Sequence, residues 1–169
     1  MILALVLVVL GVFARFIPHA WNFTPVLAIA LFAGVYLKRS QAVLLPLALM
    51  MVSDIFLGLH PMLFFTWGSV VLIALIGVQI RKNNSSRNVF IGALASAVLF
   101  FIVTNFGAWL AYYPLTWKGF VACYVLAVPF FRSTLASTFL YTVVLFGGYE
   151  FLAGRIKNTR LAPVLINHE

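Results

Sequence analysis

The chain alternates between long apolar runs and short connections that contain charged residues, proline, glycine or asparagine. The runs cover residues 2–17, 24–37, 42–57, 62–80, 89–110 and 132–153. A membrane-spanning helix needs about 20 mostly apolar residues, so each run predicts one crossing, and the first three are at the short end of the range. A chain with 64% hydrophobic and 8% charged residues has too little polar surface for a soluble domain. We therefore predict an all-α membrane protein with six transmembrane helices.

One additional apolar stretch, residues 116–131, precedes the last run and contains Lys118, Cys123 and Pro129. We predict an extra interfacial or re-entrant helix here, with a seventh span as the alternative. No repeat or linker divides the chain, which predicts a single transmembrane domain over 1–154 and a cytoplasmic tail over 155–169. The first run has neither a basic residue before it nor a clear cleavage site, so we expect a retained helix rather than a signal peptide.

The connections also carry an orientation signal. Eight of the eleven Lys and Arg residues fall in alternate connections or in the tail, and the net charge is +8. The positive-inside rule makes that side cytoplasmic, so both termini are predicted to be inside. Arg15 lies on the opposite side, which implies that it is held there for another reason. We interpret the excess of cations as a topology signal and expect no nucleic-acid partner.

Most of the remaining polar and aromatic side chains are predicted at the outward ends of the spans, where they are expected to converge on one cavity. This candidate substrate site comprises Arg15, His19, Trp21, Asn22, Asp54, His60, Asn105, Trp109 and Tyr113.

Each of these residues also has a structural interpretation. Asp54, an acidic residue inside a span, contacts a ligand or forms an ion pair between helices. Arg15 binds a ligand, pairs within the protein or reaches the lipid headgroups, and Trp109 and Tyr113 stack on a ligand or belong to an interfacial aromatic belt. Asn105 together with Gly107 predicts an interruption of the fifth helix.

Several function classes find no support in the sequence. It has no phosphate-binding glycine-rich loop, no GxSxG and no HExxH, so we predict a protein that is not an enzyme, binds no cofactor and does not hydrolyse ATP. His19, His60 and Asp54 lack a metal-binding spacing, and a metal site is a minor alternative. We interpret two groups of small or polar residues as helix packing surfaces: Ala93 and Ala97 on the fifth run, and the stripe Ser133, Thr134, Ser137, Thr138, Tyr141 and Thr142 on the last.

Four segments carry a family resemblance: RFIPHAWNFTP, the Ser-Asp-x-x-Leu-Gly segment at 53–58, Thr-Asn-Phe-Gly-x-Trp at 104–109 and the Tyr-Pro at 113–114. With them, residues 14–151 resemble a family of small, uncharacterised bacterial membrane proteins. More distantly, the chain is similar to the substrate-binding S components of energy-coupling-factor (ECF) vitamin transporters. That resemblance implies a six-helix bundle, an outward-facing pocket and a lid formed by the loop after the first helix.

The resemblance also implies a partner, a membrane coupling subunit with ATPases that docks on an Ala-x-x-x-Ala patch of the first helix. This chain offers only Ala4, Gly11 and Ala14 there, so a solitary transporter is the alternative. The hypothesis is an uptake protein of the bacterial inner membrane that binds a small ring-containing nutrient, a vitamin or a nucleoside-like molecule. The rivals are a structural scaffold or assembly factor and a metal-dependent intramembrane enzyme.

Overall fold

The computed structural model of the protein describes residues 2–13, 22–159 and 162–166. Within these ranges every regular element is helical, and the predicted all-α fold is confirmed. A 3-10 turn, Arg81–Asn83, follows the fourth helix, and a π-helical segment, Val143–Gly147, joins the sixth to the seventh. The helices are α1 (Ile2–Phe13), α2 (Val26–Tyr36), α3 (Arg39–Leu57), α4 (Leu63–Ile80), α5 (Ser86–Tyr112), α6 (Trp117–Thr142), α7 (Gly148–Ile156) and α8 (Ala162–Leu165).

Four helical stretches are long and apolar enough to cross a membrane: Arg39–Leu57, Leu63–Asn83, Ser86–Tyr112 and Trp117–Ile156. Between 22% and 33% of their apolar windows is buried inside the protein, so most of these side chains point outward. Contact with lipid tails is favourable for such an apolar exterior, whereas contact with water is not. α1 and α2 have 12 and 11 residues. They are shorter than the ~30 Å hydrocarbon layer, and six crossings therefore stay a prediction.

α2 lies at the centre of the bundle. Each of its residues from Leu27 to Tyr36 is buried, and it contacts α1, α3, α4, α5 and α6. Its sequence, VLAIALFAGVY, is apolar on all sides, which is typical of a helix without a solvent face. α2 meets α4 at two glycines, and a Cβ added to Gly34 would lie 2.6 Å from the Cα of Gly77. The two backbones are therefore in direct contact.

The prediction of a separate helix over residues 116–131 is wrong. α6 begins at Trp117 and continues through the π-helical segment into α7, giving one helical stretch of 40 residues that ends at Ile156. Pro129 lies inside it, where a proline removes one N–H donor but the flanking turns remain helical. The Arg132 side chain is exposed, so its charge does not require the helix to end.

The predicted interruption of the fifth helix is also wrong, because α5 is continuous from Ser86 to Tyr112. The Asn105 side chain is accommodated within the helix, because its Nδ2 donates to the carbonyl oxygen of Phe101, four residues back, at 2.7 Å. Gly107 instead allows α5 to pack closely against Phe65 of α4, since a Cβ at this position would lie 2.6 Å from Cγ of Phe65.

Cations gather at one end of the bundle. Arg81 donates hydrogen bonds to the carbonyl oxygens of Gly34 and Leu37, and Tyr36 donates to the Glu150 carboxylate at 2.7 Å. These contacts bring the ends of α2 and α4 beside α7. The cations at this end are Lys38, Arg39, Arg81, Lys82, Arg87, Arg155 and Lys157.

The C-terminal segment extends the bundle at the same end. α7 ends at Ile156, two residues beyond the predicted boundary of the transmembrane domain, and α8 contacts α1 and α7.

Candidate functional site

A cavity of about 290 Å³ lies among α3, α4, α5, α6 and the segment that leads into α2. The polar part of its lining comes from four separate segments of the chain and consists of Asn22, Thr24, His60, Thr66, Thr104, Asn105, Thr134 and Ser137. The larger apolar side chains around it are Leu27, Met50, Met62, Phe100, Phe101, Phe130 and Phe131. The cavity thus combines hydrogen-bonding groups with aromatic faces.

Two helices contribute matching faces to this cavity. On α5 the lining includes Phe101, Thr104, Asn105 and Ala108, and on α6 it includes Ala127, Phe130, Phe131 and Thr134. Both sets have the spacing i, i+3, i+4 and i+7, which places side chains on one face of a helix. α5 therefore presents two apolar or aromatic groups with a hydroxyl and an amide, and α6 presents three such groups with one hydroxyl.

The polar groups of the cavity keep hydrogen-bonding capacity for a ligand. Thr104 and Thr134 each donate a hydroxyl proton to a backbone carbonyl of their own helix, at 2.7 and 3.1 Å. Their oxygens still carry lone pairs that can accept a hydrogen bond. Asn105 uses one of its two N–H donors for Phe101. The cavity can therefore both donate to and accept from a bound molecule.

His60 is held in the connection between α3 and α4. Gly58, with φ of 108°, ends α3 in a conformation that favours glycine, and the N–H of Leu63 donates to the His60 carbonyl at 3.2 Å. The imidazole Nδ1 is buried and has no hydrogen-bond partner among the residues that the structure describes. A buried polar atom of this kind is costly unless it is paired, so it is a natural contact point for a ligand.

Asn22 enters the cavity from the other side. Its backbone has φ of 58°, a left-handed conformation that asparagine tolerates better than most residues. The hydroxyl of Ser137 on α6 lies 3.5 Å from the Asn22 carbonyl oxygen. The segment before α2 is thereby placed against α6.

Three of the nine predicted site residues, Asn22, His60 and Asn105, come together in this cavity. Arg15, His19 and Trp21 lie outside the described residues, so their placement stays a prediction.

Asp54 is next to the cavity and not part of its described lining. It is one helical turn beyond the cavity residue Met50 on α3, and its side chain is 1% exposed. Its Oδ2 accepts a hydrogen bond from Nε1 of Trp67 at 2.8 Å. In this position Asp54 links α3 to α4 close to the cavity wall.

We expect Trp67→Phe to lower the free energy of unfolding by about 1–3 kcal/mol, because it removes an N–H donor from a buried carboxylate. Thermal unfolding of the purified variants in mild detergent measures this change. Trp117→Phe is the matched control, since the Trp117 side chain is 76% exposed and its loss should change little. Equal melting temperatures for the two variants would contradict the role given to the Trp67 indole.

The structure places Trp109 and Tyr113 at the α5–α6 connection. Nε1 of Trp109 donates to the Pro114 carbonyl at 3.1 Å, and its ring meets the Phe120 ring edge-on at 5.3 Å. Tyr113 ends α5, and its N–H donates to the Trp109 carbonyl. These contacts stabilise the turn between the two helices, whereas a contact with a ligand stays a prediction.

Thr66, Thr104, Thr134 and Ser137 line the cavity although they were not among the predicted site residues. Thr134 and Ser137 belong to the stripe interpreted as packing, and both are indeed buried. For Thr104 and Thr134, the signal that would have found them is the repeated i, i+3, i+4, i+7 pattern, in which hydroxyls and aromatic rings share a helix face.

Metal ligands are not clustered in the part of the chain that the structure describes, where no three His, Cys, Asp or Glu side chains come together. Because His19 lies outside it, a site formed with His60 and Asp54 is neither supported nor contradicted.

The small residues of α1 face inward. Ala4 is fully buried, and a Cβ added to Gly11 would lie 2.9 Å from the Ile29 side chain of α2. The outer face of α1 presents Ile2, Val6, Leu10 and Phe13.

The helices have apolar exteriors, and a cavity lined by polar and aromatic side chains lies between them. These are features of a helical membrane protein with a cavity of small-molecule size. The chain belongs to a family of unknown function, DUF6580, which matches residues 1–161. Membership of a family without an assigned function was predicted from the four sequence segments and is confirmed. No curated protein and no solved structure matches the chain. The similarity to S components stays a prediction.

Proposed function

We propose that the protein is a membrane uptake protein that binds a small, ring-containing nutrient, a vitamin or a nucleoside-like molecule, in the cavity between α3, α4, α5 and α6. The observation that carries the proposal is the combination of aromatic faces with hydrogen-bonding groups around about 290 Å³. Small-molecule sites are typically about 300–1,000 Å³ and mostly apolar, with a few polar groups that fix orientation. This cavity is near the lower end of that range, which favours a compact ligand.

The lining favours particular contacts with such a ligand. Phe101 and Phe131, whose ring centroids are 4.8 Å apart, offer apolar faces for a flat ring. His60 and Asn105 would hydrogen-bond to its polar edge, and Asn22 would close the cavity from the α2 side. Asp54 would support the α3 wall, and Trp109 would hold the α5–α6 turn.

The residues before Asn22 complete the proposal. Arg15 and His19 would meet acidic or carbonyl groups of the ligand, and Trp21 would stack on it. Tyr113 would take part in stacking from the end of α5. The roles of Arg15, His19 and Trp21 follow from the sequence hypothesis that the first connection forms a lid, and that of Tyr113 follows from its predicted place at an outward end of a span.

The proposed orientation puts the cation-rich end in the cytoplasm of a bacterium, by the positive-inside rule. The connections at 22–25, 58–62 and 113–116 then face outward, and the cavity is reached from outside the inner membrane. This arrangement suits uptake.

Transport also needs an energy source, which a chain without a nucleotide-binding motif has to obtain from a gradient or from a partner. An S-component-like protein would use a coupling subunit with ATPases. The small residues Ala4 and Gly11 pack against other residues inside the bundle. A coupling subunit would therefore meet the bulky outer face of α1, and a solitary transporter is the second form of the proposal.

The test is to purify the protein in mild detergent after growth in rich medium and to identify co-purifying small molecules by mass spectrometry of the denatured extract. We expect a ring-containing compound at near one-to-one stoichiometry. Ala108→Phe should reduce its amount more than tenfold, because a phenyl group placed in the lining fills the space of the ligand. Ala111→Phe is the matched control on the same helix, since Ala111 is exposed and not part of the lining.

The outcomes separate the proposal from its rival. Equal ligand content in Ala108→Phe, Ala111→Phe and the wild type would mean that the compound binds elsewhere. A clean extract, with no binding when vitamins and nucleosides are added back, would overturn the proposal in favour of the scaffold.

A further inference from the structure

A second cavity, of about 460 Å³, lies at the cation-rich end of the bundle. It is formed where the end of α2, the start of α5 and the π-helical segment meet. The polar residues of its lining are Tyr36, Asn84, Ser85, Ser86, Thr142 and Glu150. None of these residues lines the first cavity, so the two spaces are distinct sites.

Thr142 is the first indication that this cavity accepts a ligand. Its side chain is 1% exposed, and its hydroxyl has no hydrogen-bond partner among the described residues. Thr138 and Thr134, one and two turns earlier on α6, both donate to the carbonyl four residues back. Thr142 departs from this pattern where the helix changes to π geometry, at Val143–Gly147. Such segments are frequent at functional sites, and a buried hydroxyl without a partner is costly.

Glu150 is the second indication. The carboxylate accepts a hydrogen bond from the hydroxyl of Tyr36 at 2.7 Å. The chain has only two other acidic residues, Asp54 and Glu169. Although cations dominate this end, the partner that the structure gives Glu150 is a neutral hydroxyl. A carboxylate beside the aromatic rings of Tyr36, Phe90 and Phe146, which line the same cavity, is suited to an ammonium group.

The start of α5 offers the complementary charge. Ser85 and Ser86 line the cavity at the start of this 27-residue helix. The Asn88 N–H donates to the Ser85 hydroxyl at 3.4 Å. The N–H groups of Ser86 and Arg87 have no partner within the helix itself. Helix N-termini bind phosphate through these groups and the helix dipole, and Arg87 follows directly. One wall of the cavity therefore suits an anion and another suits a cation.

The side of the cavity is apolar and open. Phe90 and Val143 belong to the lining, and their side chains are 43% and 54% exposed. They lie on the outer faces of helical stretches that are apolar enough to span a membrane. A ligand with an apolar tail could therefore leave this tail in the surrounding lipid.

We propose that this cavity binds a phosphate–ammonium zwitterion of the phosphoethanolamine type, with the phosphate at the start of α5 and the ammonium group between Glu150 and the aromatic rings. The ligand is either the headgroup of phosphatidylethanolamine or the free compound. The hydroxyl of Thr142 hydrogen-bonds to it. This proposal does not depend on the nutrient site.

The experiment places the full chain in nanodiscs with equal amounts of phosphatidylethanolamine and phosphatidylglycerol and counts retained lipids by native mass spectrometry. We expect the wild type to retain one phosphatidylethanolamine preferentially. Glu150→Gln and Thr142→Val should each reduce this preference about tenfold, since each removes a buried or charge-assisted contact. Thr138→Val is the matched control, because its hydroxyl already has a partner at 2.7 Å.

A competition arm separates the two sources of the ligand. If the wild type shows no lipid preference but binds soluble phosphoethanolamine, and Glu150→Gln and Thr142→Val lose this binding, the ligand is the free compound. Ala108→Phe should retain binding of either form, which keeps the test independent of the nutrient cavity. Unchanged lipid retention in both variants, together with no binding of soluble phosphoethanolamine, would overturn the proposal.

Discussion

A single methyl group at position 34 should prevent α2 from packing in the centre of the bundle. We expect Gly34→Ala to lower the free energy of unfolding by about 3 kcal/mol or more, at the upper end of the costs of overpacking. The added Cβ would lie 2.6 Å from the Cα of Gly77, and its nearest neighbours are backbone atoms that cannot rotate away. α2 is buried on all sides, so it has no free direction in which to move.

Unfolding of the purified protein by heat in mild detergent and by a denaturing detergent measures this effect. Gly68→Ala is the matched control on α4, because a Cβ there has no atom within 4 Å. Alanine is a better helix former than glycine by about 1 kcal/mol, so the control should be neutral or slightly stabilising. If Gly34→Ala were as stable as Gly68→Ala, the direct backbone contact between α2 and α4 would be refuted.

The main helices could be predicted from the sequence because their boundaries have local causes. The apolar run at 62–80 agrees closely with α4, and the run at 42–57 differs from α3 mainly at the start. Gly58 ends α3 by its backbone conformation, and Ser85 caps α5 with its side chain. These signals act within a few residues, which is the range that a sequence pattern reports.

The long helix from Trp117 to Ile156 could not be predicted in the same way. Pro129 and Arg132 are the residues that normally mark a boundary, and together they divided one helix into two predicted segments. Whether a proline ends a helix depends on the packing of the turns around it. Here α6 packs along α5, for example through the hydroxyl of Tyr124, which donates to the Ile102 carbonyl at 2.8 Å. Contacts between distant segments of this kind leave no local signal.

The candidate site was partly predictable for a related reason. Asn105 was selected because a polar side chain in an apolar run must find partners, and His60 because it lies in an outward connection. Both line the same cavity, whereas their contact with a ligand stays a prediction. The sequence could not distinguish a ligand from a backbone carbonyl as the partner. Trp109 satisfies its indole with Pro114, and Asp54 accepts from Trp67. The aromatic part of the lining was missed because phenylalanines in an apolar run give no such signal.

The second large effect is expected at Arg81, which joins the ends of α2 and α4. Its guanidinium donates from Nε and Nη2 to the Gly34 carbonyl oxygen, at 3.2 and 2.7 Å, and also to that of Leu37. The Gly34 carbonyl belongs to the last turn of α2, where helix geometry leaves carbonyl groups without partners, and Leu37 directly follows the helix. A cation at a helix C-terminus is also favoured by the helix dipole. Arg81 therefore caps a helix that is otherwise apolar throughout.

We expect Arg81→Gln to lower the free energy of unfolding by about 2–3 kcal/mol, because two carbonyl groups lose a charged donor. Arg81→Lys should recover only part of this loss, since an ammonium group lacks the fork that reaches both carbonyls. Lys82→Gln is the matched control. It removes the neighbouring positive charge, which contributes equally to the topology signal, but the Lys82 side chain is exposed. Thermal unfolding measures stability, and cysteine-accessibility mapping checks orientation. If Arg81→Gln and Lys82→Gln lowered the free energy of unfolding equally, the positive charge at this end would serve membrane insertion rather than capping of α2.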